Sequence, residues 1–311
     1  FRNVTGVQTC ALPICRIPYS FKKGEGEMAG SGHLLLEGPP GLAKTLLVSA
    51  IARTFSARFQ RIQFTPDMLP ADILGTRVFD VRAAEFRIEK GPLFANIVLA
   101  DEINRAPQKT QSALLEAMQE RQVTIGEQTF HLDDPFWVLA TQNPVEQEGV
   151  FALPEAQLDR FAMMLRVRYP AAADEVAMIQ ARLEELTITP VADPATVVLI
   201  RQLASEVHVD DKIHQYIVAI GQATRNSHPG ALPIVKQMLQ YGMSPRAYHH
   251  LLAMARANAF MRGRDFVSPA DVKDIAPDVM HHRLVRTIRA EVEDVSTDEV
   301  VAEVLRRTPV P

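Results

Sequence analysis

Gly38-Pro39-Pro40-Gly41-Leu42-Ala43-Lys44-Thr45 sets an ammonium and a hydroxyl side by side at the end of a Gly- and Pro-rich turn. A turn of this kind presents backbone N–H groups to phosphate oxygens, and a helix that starts at its end adds the positive end of its dipole. Lys44 can reach the β and γ phosphates, and the Thr45 hydroxyl can ligate magnesium. Gly38, Pro39, Pro40, Gly41, Leu42, Ala43, Lys44, Thr45 and Leu46 are therefore the candidate nucleotide cradle, with ATP and Mg2+ as the expected cofactors. The general consensus has Gly before the Lys, where this chain has Ala43. Taken alone, the segment also reads as a small-residue turn that binds nothing.

A second pair of residues adds to the first. Asp101 and Glu102 close the apolar run Ile97-Val98-Leu99-Ala100. In a doubly wound sheet, ligands gather at the carboxyl ends of the strands, which is also where a phosphate loop sits. Asp101 is placed to hold the metal, directly or through water. Glu102 is placed to orient and deprotonate an attacking water. Without the upstream loop, an Asp-Glu pair after a strand reads as a solvated turn or a helix cap. Asn143 also follows an apolar run, Phe136 to Ala140, and its amide could orient water or touch the γ-phosphate. An Asn-Pro turn is the plain alternative.

The elements that position these groups follow from the local pattern. Leu34-Leu35-Leu36 reads as a strand ahead of the loop, and Leu46, Leu47, Val48, Ile51, Ala52 and Phe55 have helical spacing behind it. Arg58–Phe64 alternates enough for a second strand. Met68–Leu74 reads as a helical turn and Gln108–Arg121 as a helix. Thr76–Ile88 and Gln122–Leu132 alternate around small residues and read as hairpins. Met163–Val167 is a further strand. Strands alternating with helices imply an α/β class with a doubly wound, parallel, five-stranded sheet. After Pro170 helical spacing takes over, at Glu175–Leu186, Ala195–Val207, Ile213–Arg225, Pro245–Arg262 and Ala270–Leu284, and no strand-like run recurs. Asn226–Tyr241 reads as a long, loose connection.

This gives a core over 32–170, a helical domain over 171–290 and a tail over 291–311. Residues 16–31 read as a truncated lead-in. Phe1–Cys15 has no helical or strand period and no signal-peptide layout, and is expected to be a stretch foreign to the native protein.

Composition narrows the function classes. Of 311 residues, Lys plus Arg number 33 and Asp plus Glu 37, for a net charge of −4. That balance gives no general case for nucleic acid. No apolar run approaches the roughly 18 residues of a membrane span. Cys10 and Cys15 are the only cysteines, so a disulfide scaffold and a thiol nucleophile in the body of the chain are both excluded. This fits a reducing, cytoplasmic setting. The adjacent pairs His249-His250 and His281-His282 lack zinc-binding helix spacing and read as surface or packing residues. Glu116 and Glu120 read as a solvated helix face. Met238, Met243, Met254 and Met261 read as core gap-fillers.

The motifs Gly-Pro-Pro-Gly-Leu-Ala-Lys-Thr, Ala-Asp-Glu-Ile-Asn-Arg-Ala, Ala-Thr-Gln-Asn-Pro, Leu-Pro-Glu-Ala-Gln-Leu-Asp-Arg-Phe, Met-Ser-Pro-Arg-Ala and Gly-Arg-Asp-Phe-Val-Ser-Pro-Ala-Asp-Val occur in that order. Together they resemble the MoxR family of AAA+ ATPases from about Gly32 to about Arg286. Ala43 is similar to what that family often carries.

The resemblance implies a P-loop AAA+ core with a small all-α lid, and roles for particular residues. Asn143 matches the first sensor of the γ-phosphate. Arg160 matches the arginine finger that reaches a neighbouring subunit's nucleotide, although by residue type alone it reads as an ion pair with Asp159 or Glu155. Arg246 matches the second sensor, on the lid. Arg105 is either a trans-acting residue or a solvated one. The two hairpins look like insertions of this branch. Such proteins normally carry a helix and a lead-in loop before the first strand that help hold adenine; here about fifteen ordinary residues and the Phe1–Cys15 stretch are expected to stand in that place.

The resemblance further implies a homo-oligomer, a hexamer, that hydrolyses ATP with magnesium. It would remodel protein complexes or assist cofactor insertion, with von Willebrand factor type A proteins as partners. Two alternatives stand beside it: a nucleotide-binding switch without sustained turnover, and a nucleic-acid motor, against which the acidic charge and the single Trp count.

Overall fold

Strand β1 (Leu34–Glu37) is apolar along almost its whole length, and helix α1 (Lys44–Thr54) follows it. The computed structural model describes residues 32–39, 44–143, 150–167, 169–180 and 189–311. Phe1–Cys15, the lead-in to residue 31, Pro40, Gly41, Leu42 and Ala43 of the loop, and the last part of the Glu175–Leu186 helix lie outside the described residues. The chain divides into two compact units. One holds Leu35–Leu153 and Leu165–Val198. The other holds Pro154–Met164 and Leu199–Pro311, with the described residues before Leu35.

The first unit is built on a five-stranded sheet. After α1 come β2 (Phe59–Gln63), the short helix α2 (Pro70–Leu74), β3 (Gly75–Asp80), β4 (Glu85–Lys90), β5 (Ile97–Asp101) and α3 (Gln108–Glu120). Then follow β6 (Gln122–Ile125), β7 (Gln128–His131), β8 (Trp137–Gln142), the short helix α4 (Glu155–Leu158), which belongs to the second unit, and β9 (Met163–Arg166). The sheet order is β2-β5-β8-β1-β9. β5 pairs in parallel with β2 on one side, Gln63 beside Asp101, and with β8 on the other, Ala100 beside Ala140. Every residue of β5 is buried, which is why its sequence is a continuous apolar run and not an alternating one. Each fully buried Leu, Ile or Val here contributes about 1.5–3 kcal/mol relative to exposure. The parallel register brings the carboxyl ends of β5 and β8 level with each other, next to the end of β2.

Both expected hairpins form. β3 pairs with β4 antiparallel, with Phe79 opposite Phe86, and β6 pairs with β7, with Thr124 opposite Thr129. The second hairpin turns at Gly126, whose φ of 62° is the left-handed conformation a two-residue hairpin turn requires.

The second unit is mainly helical: α6 (Pro194–Ser205) runs into it, followed by α7 (Asp211–Ala223), α8 (Pro233–Met238), α9 (Pro245–Met261), α10 (Pro269–Met280), α11 (Ile288–Val292) and α12 (Thr297–Arg307). Helix α5 (Ala172–Gln180) belongs to the first unit. Caps fit the sequence: the Asp210 carboxylate accepts from Lys212 N at 2.8 Å, and Ser296 with Glu299 forms a capping box.

Three sequence expectations need correction. Strands do recur after Pro170, because β10 (Leu239–Tyr241) pairs antiparallel with β11 (Val285–Arg286). These runs are too short for a two-residue period to register. Asn226–Tyr241 is not loose: it contains α8 and β10, and the Asn226 amide donates to the carbonyls of Leu239 and Gln240 at 3.2 Å. Met261 is half exposed at the end of α9, whereas Met238, Met243 and Met254 are buried as gap-fillers. Among the described residues no helix is long and apolar enough to cross a membrane.

Candidate functional site

The motif acids sit where β5 ends. Asp101 is its last residue, and Glu102 follows in the left-handed conformation at φ 56°, ψ 49°. That backbone state costs a residue with a Cβ about 1–3 kcal/mol and persists only where its surroundings hold it. The holding group is Thr141, on β8. Its hydroxyl donates to Asp101 Oδ1 at 2.6 Å and accepts from the Glu102 N–H at 2.8 Å. One oxygen thereby aims both acids.

The other carboxylate oxygen, Asp101 Oδ2, accepts from the Thr45 hydroxyl at 3.4 Å. It also accepts from Arg61 through Nη2 at 2.6 Å and Nε at 3.1 Å. Glu102 Oε2 accepts from Gln63 Nε2 at 2.9 Å and pairs with Arg105 Nε at 3.0 Å. Lys44, at the start of α1, donates from Nζ to the Gly38 carbonyl at 2.7 Å. Burial pushes its ammonium below the ordinary lysine value, and Asp101, Glu102 and Glu37 pull in the opposite direction. All three acids therefore lie near the Lys44 charge. Gly38 cannot be another residue: a Cβ there would lie 2.6 Å from the Val167 carbonyl oxygen.

Lys44, Thr45, Asp101 and Glu102 thus converge. Buried Asn143 stands just past β8, and its carbonyl accepts from Asn104 Nδ2 at 3.4 Å. Pro39 is half-buried beside the loop. Pro40, Gly41, Leu42 and Ala43 are outside the described residues, and of Leu46 only its place in α1 is described. The metal donors would be a hydroxyl and one carboxylate oxygen. Magnesium takes few protein oxygens and leaves the rest of its octahedron to phosphates and water, so this donor set fits it.

Arg160 and Arg246 belong to the other unit, where they flank one buried network. Asp159 lies between them: its Oδ2 accepts from Arg246 Nη1 at 3.5 Å, and its Oδ1 from Ser244 Oγ and from Arg283 Nε, both at 2.8 Å. Asp159 therefore pairs with Arg283 and Arg246, two partners the sequence reading did not name.

Both expected histidine pairs are resolved here. His249 is exposed, while His250, His281 and His282 are buried. His250 Nδ1 accepts from Arg283 Nη2 at 2.7 Å, which requires a neutral ring protonated on Nε2. His282 Nε2 donates to the Phe161 carbonyl at 3.2 Å.

Burial holds His250 well below its ordinary value, helped by Arg283, Arg246, His249 and His33. Burial also holds His282 low, helped by Arg283, His281 and His250, against the opposing bond to Phe161. Folding therefore favours the neutral rings. That stability is present above the ordinary histidine pKa of 6.5 and is lost as pH falls below it, because the unfolded chain then binds protons the folded chain refuses. Urea unfolding measured from pH 7.5 to 5 should show stability dropping below about pH 6.5, by about 1.4 kcal/mol per pH unit for each histidine.

Sequence reading missed Arg61, Gln63, Thr141, Asp159 and Arg283. A signal existed for two of them: alternation along β2 puts Arg61 and Gln63 on one face, beside the strand that ends in the acids.

A parallel sheet with this strand order, a lysine-bearing loop after its first strand and paired acids at the end of a central strand defines a P-loop ATPase core. Residues 33–163 match the profile of the ATPase family associated with various cellular activities, and residues 232–304 match the AAA lid domain. The chain is 44% identical to the Chaperone MoxR1 of Mycobacterium tuberculosis, covering 91% of this chain and 76% of that protein. It is 43% identical to the uncharacterized protein YeaC of Bacillus subtilis, covering 91% and 87%. A crystal structure of a candidate ATPase from Cytophaga hutchinsonii superposes with a TM-score of 0.84 at 43% identity, covering 90% of this chain and 86% of the other. The chain belongs to the MoxR family of AAA+ ATPases.

Proposed function

We propose that this chain is a magnesium-dependent, chaperone-like ATPase that works as a homo-oligomer, a hexamer, in the cytoplasm. The observation that carries the reading is the Thr141 hydroxyl bonded to both motif acids while the Thr45 hydroxyl faces the second oxygen of Asp101. In this reading the loop Gly38–Leu46 cradles the phosphates of ATP, with Lys44 neutralising the β and γ groups. Thr45 and Asp101 hold Mg2+, which supplies charge neutralisation on the phosphates when bound. Glu102 takes the proton of the attacking water. Asn143 contacts the γ-phosphate. Arg160 is offered to the neighbouring subunit's nucleotide, and Arg246, on the lid, serves as the second sensor. The chaperone name of the mycobacterial relative supports a chaperone-like output; remodelling of protein complexes or help with cofactor insertion is the form proposed for it. Von Willebrand factor type A proteins are the proposed partners.

A fluorescent ATP analogue titrated with and without Mg2+ tests the first step. Lys44→Ala should weaken binding about 10- to 100-fold, the worth of a hydrogen bond to a charged group at about 1.4 kcal/mol per decade. Equal affinity in the variant would overturn the loop assignment. A nucleotide switch is the second reading, favoured by Glu102 being paired to Gln63 and Arg105. It requires ATP binding with no more than one turnover, so phosphate release over many turnovers excludes it.

A further inference from the structure

Arg283 follows His281 and His282 in the turn after α10, and its side chain is 1% exposed. Its guanidinium spends its donors on the segment that carries Arg160. Nε donates to Asp159 Oδ1 at 2.8 Å. Nη1 donates to the Ala162 carbonyl at 3.2 Å and to the Val279 carbonyl. Nη2 donates to the Asp159 carbonyl at 3.3 Å, to the Phe161 carbonyl and to His250 Nδ1 at 2.7 Å. Burial lowers the Arg283 pKa to about 10, with Asp159 opposing, so the group remains a cation at neutral pH. A buried cation is costly unless it is paired and fully hydrogen-bonded, and here every acceptor but two comes from residues 159 to 162.

Arg160 is the residue in the middle of that pinned stretch. Its backbone is held before it, at Asp159, and after it, at Phe161 and Ala162. The same Asp159 carboxylate accepts from Ser244, the residue ahead of α9, and from Arg246 in the first turn of α9. One ion pair therefore ties the residue beside Arg160 to the helix that bears Arg246.

We propose that Arg283, through Asp159, is the positioning residue that sets the direction of Arg160. In this role it acts through Arg160 and not on the nucleotide itself. The planar fork is essential to the role, because a lysine ammonium is a single point of charge and cannot reach acceptors on both flanks of Arg160 at once. The proposal rests on reading Arg160 as the group offered to a neighbouring subunit.

The test uses full-length subunits mixed in pairs. Arg160→Ala subunits keep the acids but have no finger, and Glu102→Gln subunits keep the finger but do not hydrolyse. Mixing them should restore ATP turnover, because each Glu102→Gln neighbour supplies Arg160. If Glu102→Gln donors restore nothing, Arg160 does not act across subunits, and the functional reading fails together with the premise used here. If they do restore turnover, donors carrying both Glu102→Gln and Arg283→Lys should restore it at least about tenfold less well, since a lost charge-assisted bond is worth about a decade or more. Their nucleotide affinity and assembly mass should match those of the single donors, a result that general loosening of the fold would not give. Equal restoration by the double donors overturns the proposal. Should Arg283→Lys fail to fold, Ser244→Ala in the Glu102→Gln donor decides instead. It removes one partner of Asp159 and leaves the buried cation paired. Restoration should then fall severalfold, and unchanged restoration overturns the proposal.

Discussion

Glu102→Gln should lower steady-state ATP turnover by about 10²–10⁴, the range a positioned general base contributes, while nucleotide affinity stays within twofold. The substitution keeps the shape of the side chain and its place after β5. Gln can still meet Gln63, and the backbone N–H bond to Thr141 at 2.8 Å is untouched. What disappears is the proton acceptor. The ion pair with Arg105 is also lost, but that pair is largely solvated, with side chains 40% and 28% exposed, and is worth at most about 1 kcal/mol. Steady-state phosphate release together with binding of a fluorescent ATP analogue separates chemistry from affinity. Turnover at the normal rate with affinity intact would remove Glu102 from the mechanism.

Arg160→Ala should cost about 10³–10⁵ in turnover, the worth of a guanidinium that answers transition-state charge in phosphoryl transfer. The loss should appear in kcat and not in nucleotide affinity, because the residue meets the charge that develops during reaction. Unmodified protein should also show specific activity that rises with protein concentration as subunits assemble, and the variant should lose this dependence. Activity per subunit that is flat with concentration and unchanged by the substitution would show that each site is complete on its own. The two substitutions differ in a way that guards each against misreading. Glu102→Gln subunits remain able to serve a neighbour, and Arg160→Ala subunits remain able to be served.

Much of the site was legible because its parts are defined by near neighbours in the chain. Lys44 and Thr45 follow a small-residue turn between a buried strand and a helix, the local order that marks them as candidates for phosphate binding. Asp101 and Glu102 could be placed because the run Ile97–Ala100 is buried on both faces and must end at the ligand side of a parallel sheet. The hairpins were legible from alternation, and Gly126 from its turn. The strands β10 and β11 were not, since runs this short carry no detectable period.

By itself the amino-acid order determined the α/β class, the family and the residues able to do chemistry, because strand burial and loop chemistry act between residues a few positions apart. Only the tertiary structure decided what holds those residues. Thr141 and Arg61 meet Asp101 across 40 positions, and Arg283 meets Asp159 across 124. A hydroxyl or guanidinium carries no local mark of its distant partner. Burial makes such pairings obligatory, since a desolvated polar group must find a bond, and the partner it finds is set by how the strands and helices pack.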